Sequence, residues 1–462
     1  MPAQKPDMLQ WIRTLLGTDP AANSRPLEKY LDAIPRLASL DSLPRGTAVL
    51  VRGDLDAKPG PKVGDGDIRL RSMVDTLQHG RERGWKQILF GHIGRKPEGS
   101  LKSVGKRLAE LLGTDVPLID DWYDESTGTI KPHAAEKIAA AGPGSVLLLE
   151  NTRRYLVERL LWDAKTEDAA KLAAPLGQLA TEFAEKVARV YVNEALSAGS
   201  LDSSSTIVPA SMDHVALGKY VAHEFDQPMR RCLATQLVVF SGLKTDKLDD
   251  LQAMINRGTI RWVFTAGSLA MALKKADAEL AGHDFSLGVA EDPAHAEKPY
   301  FISRDRIDQA KRMLQEGRAK GIEFVLPIDF VLADGRVAEK IGPADQQFDI
   351  GPKSSELFAE KVGQFIEQSK GKKAVAFHNG VFGMFEDPRF ENGTKKFVSQ
   401  LKRMTDAGVE VYIGGGEGGT SLERYGQPDW VTHTFTAGGT VLNALGSAPV
   451  PYLVALYMAG KK

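Results

Sequence analysis

The sequence predicts an α/β protein made of two doubly wound, mostly parallel (Rossmann-like) sheets joined by a helical hinge. Three observations predict it. From Thr47 onward, short apolar runs alternate with helical stretches, the pattern of buried parallel strands linked by crossover helices. The chain has 462 residues, too many for one core and suited to two large domains. The strand-like runs end in charged residues in the first half and in glycines in the second, so the halves carry different chemistry.

The first series reads VLVRGDLD (Val49–Asp56), ILFGHIGR (Ile88–Arg95), VLLLENTRR (Val146–Arg154) and VYVNEA (Val190–Ala195). Helices are expected over Arg69–Arg83, Ser103–Leu112 and the Ala-rich Thr166–Ala188, and a loop over the small, polar Ser197–Ser211. In open α/β sheets ligands bind beyond the carboxyl ends of the strands. Asp54, Arg69, His92, Arg95 and Arg153 should therefore converge on one rim. Guanidinium matches carboxylate and phosphate bidentately, so that rim suits a small, strongly anionic ligand.

Tyr220–Arg231 reads as a helix carrying the chain into a second series. Its strands are expected at Gln236–Phe240, Trp262–Gly267, Phe324–Asp334, Ala374–Gly380 and Val409–Gly416. Helices are expected at Leu248–Arg257, Arg304–Gly321, Ser355–Ser369 and Asn392–Ala407. Glycines after these strands (Gly242, Gly267, Gly414 to Gly416, Gly438, Gly439) let backbone N–H groups approach phosphates at helix N-termini. One such turn is weak evidence, since glycine after a strand is commonly only a turn; four in one sheet point to a nucleotide. The chain has no Walker A or dinucleotide fingerprint at the right place. Lys244 and Lys247 follow the first glycine turn, where a lysine either neutralises phosphate or faces water. Glu386 either binds ribose hydroxyls or faces water.

Hydrophobic content of 42% and charged content of 26% are ordinary for a globular protein. A net charge of -1 gives no global case for nucleic acid or an acidic membrane surface, so any anion site is local. The single cysteine, Cys232, excludes an internal disulfide and a cysteine metal cage, and it reads as a small apolar filler. No run approaches the roughly 20 apolar residues of a membrane span, and the N-terminus lacks an apolar signal core, so a cytoplasmic location is expected. Residues 1–45 read as an appendage with an amphipathic helix near Trp11–Leu16, packed on the first domain or mobile. The expected domains are residues 1–219, completed by about 441–462, and residues 220–440.

The chain resembles the phosphoglycerate kinase family from about Thr47 to its end. The residues that carry the resemblance are RGDLD with IRLRS, GHIGR, LLLENTRRY, YVNEA, SGLKTDK, LPIDFVLAD, FDIGPKSSELFAE, FHNGVFGMFED, ENGTK, YIGGGEGGT and THTFTAGGT, in the family's order and spacing. The resemblance implies an acid-binding N-terminal lobe, a C-terminal lobe for ATP or ADP with Mg2+, final residues that fold back on the first lobe, and a monomer. Its reaction forms an acyl phosphate on a small anionic carboxylic acid. By position, Asp54 and Asp56 match the residues holding the glycerate end, and Arg69 the arginine spanning carboxylate and transferred phosphoryl group. His92, Arg95 and Arg153 match substrate anchors. Lys244 and Lys247 match the nucleotide-lobe lysines, Asn379 and Glu386 phosphate and ribose contacts, and Glu417 the aspartate beside the metal. Gly267, Gly415, Gly416, Gly439 and Thr420 complete the implied nucleotide site, with Arg69, Lys244, Gly416 and Gly439 at the transfer itself.

The sequence departs from the family at defined places. Ungapped alignment puts Leu201 where the family has a phosphate-gripping arginine, and Ser200 and Ser203 where it has histidines. Arg154, where the family prefers an aromatic, is a candidate to compensate. Val381 and Phe382 replace two prolines, Glu417 an aspartate, and Ala437 a glycine. Three readings follow: phosphoglycerate kinase with a shifted phosphate grip, a kinase for another small carboxylic acid, or a non-catalytic nucleotide-binding relative.

Overall fold

A computed structural model describes residues 7–17, 26–242, 247–446 and 449–461, and in it the apolar runs form two six-stranded sheets. The chain divides into two units, Met1–Gln227 with Pro449–Lys462, and Pro228–Ala448. The first boundary falls inside the helical run from Lys219 to Cys232, which passes through a wide turn at Phe225–Met229 containing Pro228. This is later than the expected boundary at 219, because the start of that run packs on the first sheet's strands and helices.

The first sheet contains β1 (Ala48–Gly53), β2 (Lys86–Phe90), β3 (Leu118–Ile119), β4 (Val146–Leu149), β5 (Val190–Glu194) and β6 (His214–Leu217). They lie in the order β3-β4-β2-β1-β5-β6, all parallel. Val49, Val51, Leu89 and Val192 are buried with Leu77 and Leu108 from flanking helices and Trp85 from the connection before β2. Strands covered on both faces explain why these segments read as continuous apolar runs rather than alternating ones.

The expected helix Arg69–Arg83 is two helices, Ile68–Ser72 and Val74–Glu82. The join is Met73, buried under the end of β1 with its sulfur 3.0 Å from the Asp54 N–H. The expected loop Ser197–Ser211 contains a helical turn at Ser203–Thr206 and a 3-10 turn at Val208–Ser211. Ser203, Ser204, Ser205 and Thr206 are buried and find partners at short range: Ser205 and Thr206 hydroxyls donate to the Asp202 carbonyl. Polarity there marks a satisfied interior rather than a surface loop.

The described part of the N-terminal extension packs on the first unit. Met8, Trp11 and Ile12 of helix Met8–Leu15 are buried, the helix lies on Ala169–Lys186, and Trp11 Nε1 donates to the Thr206 carbonyl at 2.9 Å. Helix Leu27–Ala33 meets helix Pro451–Ala459, with Tyr30 and Tyr457 rings edge-on at 5.2 Å.

The second sheet contains β7 (Leu237–Gly242), β8 (Trp262–Ala266), β9 (Glu323–Val325), β10 (Val375–Asn379), β11 (Glu410–Gly414) and β12 (His433–Phe435), ordered β9-β8-β7-β10-β11-β12 and all parallel. The expected strand Phe324–Asp334 is divided. Pro327 interrupts the ladder after β9, and Phe330–Leu332 joins a separate antiparallel sheet with Val337–Ala338 and Gln347–Ile350. Helix Gly267–Leu280 escaped the periodicity analysis because Leu269, Ala270, Met271, Ala272 and Leu273 are all buried, leaving no polar stripe there.

Glu194, at the end of β5, is buried and accepts hydrogen bonds from the Thr76 hydroxyl (2.6 Å) and the Tyr220 N–H (3.0 Å). Burial pushes its carboxyl up to about 7. A raised folded-state pKa means that the folded chain holds a proton which the unfolded chain has released, so stability is lost as pH rises from about 4.5 to about 7. Glu194→Gln removes that titration. Urea unfolding should show the wild type losing on the order of 3 kcal/mol relative to the variant across this window. A pH-independent difference would show that Glu194 does not titrate there.

Candidate functional site

The charged residues after β1, β2, β4 and β5 meet at the carboxyl rim of the first sheet. Asp54 is buried; its Oδ1 accepts from the Ser197 hydroxyl at 2.7 Å and lies 3.7 Å from Arg69 Nη1. Its Oδ2 is buried without a hydrogen-bond partner among the described residues. Burial raises its pKa against the lowering pull of Arg69. An orphaned acceptor of this kind suits a ligand hydroxyl. Arg69 also donates to the Asp56 carbonyl at 3.0 Å and lies 3.4 Å from its carboxylate. Asp56 Oδ1 in turn accepts from the Gly94 N–H at 2.9 Å, tying the β1 and β2 loops together. Arg95 is exposed.

Deeper in the rim lies a cluster that sequence reasoning read only in part. Arg52, within β1, is 1% exposed. It donates through Nε to the Ser204 hydroxyl (2.9 Å), through Nη1 to the Gly53 carbonyl (2.6 Å) and through Nη2 to His92 Nδ1 (2.8 Å). His92 is neutral: burial and then the Arg52, Arg153 and Arg69 guanidiniums hold its pKa well below the ordinary histidine value. With Nδ1 accepting from Arg52, its proton sits on Nε2. Arg153 donates to the Gly94 carbonyl (2.7 Å) and to Asp202 (3.0 and 3.3 Å), and its guanidinium lies 4.7 Å from the Trp162 ring. Asp202 also accepts from Trp162 Nε1 at 2.8 Å. Glu158, buried beside Asp202, is pushed up to about 7 by burial and then by that neighbouring charge. Arg154 pairs instead with Asp120 (2.7 Å) and Glu150 (3.2 Å). Arg52 was hidden because its strand reads as an apolar run with one polar residue, and Asp202 because its loop reads as small and polar.

In the second unit the glycines gather three helix N-termini at one sheet rim: Gly267–Leu280 after β8, Gly416–Tyr425 after β11 and Gly438–Leu445 after β12. Gly267 has φ +64°, and a Cβ there would stand 2.7 Å from the Gly242 carbonyl oxygen. Gly415 has φ +98°, and a Cβ on Gly438 would stand 2.5 Å from the Gly415 Cα. At Gly416 and Gly439 a Cβ would meet no heavy atom within 4 Å, so protein packing gives no reason for glycine there. Ala437 has φ -134°, which any residue adopts.

Asn379, at the end of β10, donates to the Gly414 carbonyl at 2.6 Å and accepts from Lys247 Nζ at 3.2 Å; Lys247 also donates to the Ser241 carbonyl at 2.8 Å. Lys244 lies outside the described residues. Glu417 and Thr420 are exposed on the first turns of Gly416–Tyr425. A cavity beside these turns is lined by Gly242, Gly267, Glu386 and Glu417 together with Met271, Leu287, Ala290, Tyr300, Phe348, Val381 and Met384. The apolar lining comes from separate loops and helices, which no local motif discloses. Phe382, in place of a proline, is buried against Phe358 and Phe397 and anchors the turn to the core.

A model of the family described as phosphoglycerate kinase matches residues 40–447. The cytosolic phosphoglycerate kinase of Triticum aestivum is 29% identical over 428 residues, covering 89% of this chain and 96% of that protein. The phosphoglycerate kinase of Thermosipho africanus is 28% identical over 441 residues, covering 90% and 96%. Among solved structures, phosphoglycerate kinase from Pyrococcus horikoshii matches with a TM-score of 0.71 at 23% identity, covering 93% of this chain and 100% of that one; the enzyme from Coxiella burnetii gives 0.68 at 22%, covering 92% and 99%.

Proposed function

The chain belongs to the phosphoglycerate kinase family, and on that premise we propose ATP-dependent phosphoryl transfer between ATP and the carboxyl group of 3-phosphoglycerate, giving an acyl phosphate and ADP, by the following residues. The observation that carries the assignment is the rim of three helix N-termini beside a cavity reached by Glu386 and Glu417. Backbone N–H groups at Gly267, Gly416 and Gly439 would hold phosphate oxygens, Asn379 and Lys247 would support them, and Glu386 would meet the ribose. Lys244 takes its role from the family match alone. The cavity's apolar side chains suit a flat base.

In the first unit Asp54 would accept a hydrogen bond from the acid's hydroxyl, Asp56 would hold Arg69, and Arg69 would bind the reacting carboxylate and then the transferred group. Arg95, His92 through Nε2, and Arg153 complete the acid's surroundings. Phosphoryl transfer needs in-line positioning and positive charge on the equatorial oxygens more than covalent help. Glu417 offers the hard oxygen donor that Mg2+ takes, with nucleotide phosphates and water as its other ligands. Mg2+ there would neutralise phosphate charge. The reading takes the chain as a cytosolic monomer acting without nucleic acid or membrane; no described helix is long and apolar enough to cross a membrane.

The direct test incubates the protein with ATP and a panel of small acids and traps acyl phosphate as hydroxamate. Signal with 3-phosphoglycerate supports the assignment, and nucleotide binding with no transfer to any acid overturns it. Gly438→Ala tests the nucleotide rim separately. Its Cβ would force the turns at Gly415 and Gly438 apart, and calorimetric titration should show ADP affinity reduced about 10-fold or more. Unchanged affinity would remove this turn from the site.

A further inference from the structure

We propose that Asp202 is an internal anion that occupies the pocket of the Arg52 and Arg153 guanidiniums beside neutral His92, competes with the non-reacting anionic group of the acid substrate, and so sets the chain's selectivity between phosphorylated and unphosphorylated acids. The inference rests on the acid-site reading above and deepens it. Asp202 is fully buried. Its Oδ2 lies 3.0 Å from Arg153 Nη2, 3.3 Å from His92 Nδ1 and 3.6 Å from Arg52 Nη2, and its Oδ1 accepts from Trp162 Nε1. A carboxylate surrounded by two guanidiniums, an imidazole and an indole N–H holds the place that a bound anion would take.

The guanidiniums have little left to offer. Both terminal nitrogens of Arg153 are engaged, by the Gly94 carbonyl and Asp202. All three nitrogens of Arg52 donate to Ser204, Gly53 and His92. His92 is neutral and contributes no charge. Arg153 Nε is buried with no partner among the described residues. Leu201, next to Asp202, brings no cation. A dianionic phosphate entering this pocket must displace the carboxylate or meet its repulsion, whereas an acid without that group needs only Asp54, Arg69 and Arg95. The Ser204 hydroxyl accepts from Arg52 and donates to Glu158 at 2.5 Å, which fixes Arg52 beside Asp202 and links the cluster to the 3-10 turn Leu156–Arg159 after β4.

The test compares kcat/KM for 3-phosphoglycerate and for glycerate in wild type, Asp202→Asn and Asp202→Glu. Asp202→Asn should raise the ratio of 3-phosphoglycerate to glycerate about 10-fold or more, chiefly through KM for the phosphorylated acid, while Asp202→Glu, which keeps the charge, stays near wild type. Calorimetric titration with inorganic phosphate gives an activity-independent readout: Asp202→Asn should bind it about 10-fold or more tighter than wild type. An unchanged or lowered ratio together with unchanged phosphate binding overturns the proposal. If no acid is phosphorylated by any variant, the functional assignment fails while the phosphate titration still decides the role of Asp202. Thermal melts of each variant separate misfolding from selectivity.

Discussion

Replacing Arg69 by alanine lowers phosphoryl transfer by about 100- to 1000-fold, the usual cost of removing one preorganised donor to developing charge. The effect falls on chemistry because Arg69 contributes little to the fold. Its side chain is 27% exposed, and its partners are Asp56 at 3.4 Å and Asp54 at 3.7 Å. The pair with Asp56 is exposed on both sides and stabilises weakly, within about 1 kcal/mol, and the longer contact reaches the buried Asp54. Loss of Arg69 also leaves Asp54 and Asp56 without the cation they share at the proposed acid site, so the acid's affinity falls as well as turnover. Single-turnover hydroxamate trapping measures the chemical step, and thermal unfolding checks that the fold persists. Near-normal transfer in Arg69→Ala would remove this residue from the reaction.

Arg52→Met has the larger effect on stability. The guanidinium is almost completely buried and lies beside Asp202, with Ser204 linking it to Glu158. Removing it takes one of the two guanidiniums beside the buried Asp202, leaving Arg153 alone, and deprives the Ser204 hydroxyl of its donor, which costs on the order of 3 kcal/mol. Methionine keeps much of the volume, so the loss reports charge and hydrogen bonding more than a cavity. Urea unfolding of the full chain should show the decrease. The loss should be smaller in Arg52→Met with Asp202→Asn, because the second change removes the charge that Arg52 helps to balance. A single variant within about 1 kcal/mol of wild type would show that Arg153 alone balances Asp202.

The two-sheet architecture was legible because parallel strands buried on both faces leave long apolar runs, and β1, β2, β4, β5, β7, β8, β10 and β11 all declared themselves this way. β6 and β12 did not, being short sheet-edge strands of four and three residues. Phe324–Asp334 misled because apolar content alone does not say which sheet a strand joins; Pro327 was the local clue. At the candidate site, Asp54, His92 and Arg153 were visible as charge at the ends of apolar runs, and Arg69 as a basic group between the first two runs. Asp202 was not, since an aspartate in a serine-rich segment looks like solvent-facing turn chemistry. Only the fold reveals that its neighbours are Arg52 and Arg153, which come from segments far away in sequence.

Helix Pro451–Ala459 belongs to the first unit although residues 228–448 precede it. Tyr452, Leu453, Val454, Ala455 and Leu456 are buried there, against the turns at Ser203–Thr206 and Val208–Ser211 and the helix Leu27–Ala33. A ribosome therefore delivers the whole second unit before the piece that closes the first. At typical elongation rates of about 5–20 residues per second, the nascent first unit waits for tens of seconds with that apolar seat uncovered. The order of synthesis and the order of burial are thus opposed, and helix Pro451–Ala459 acts as a latch on segments made long before it.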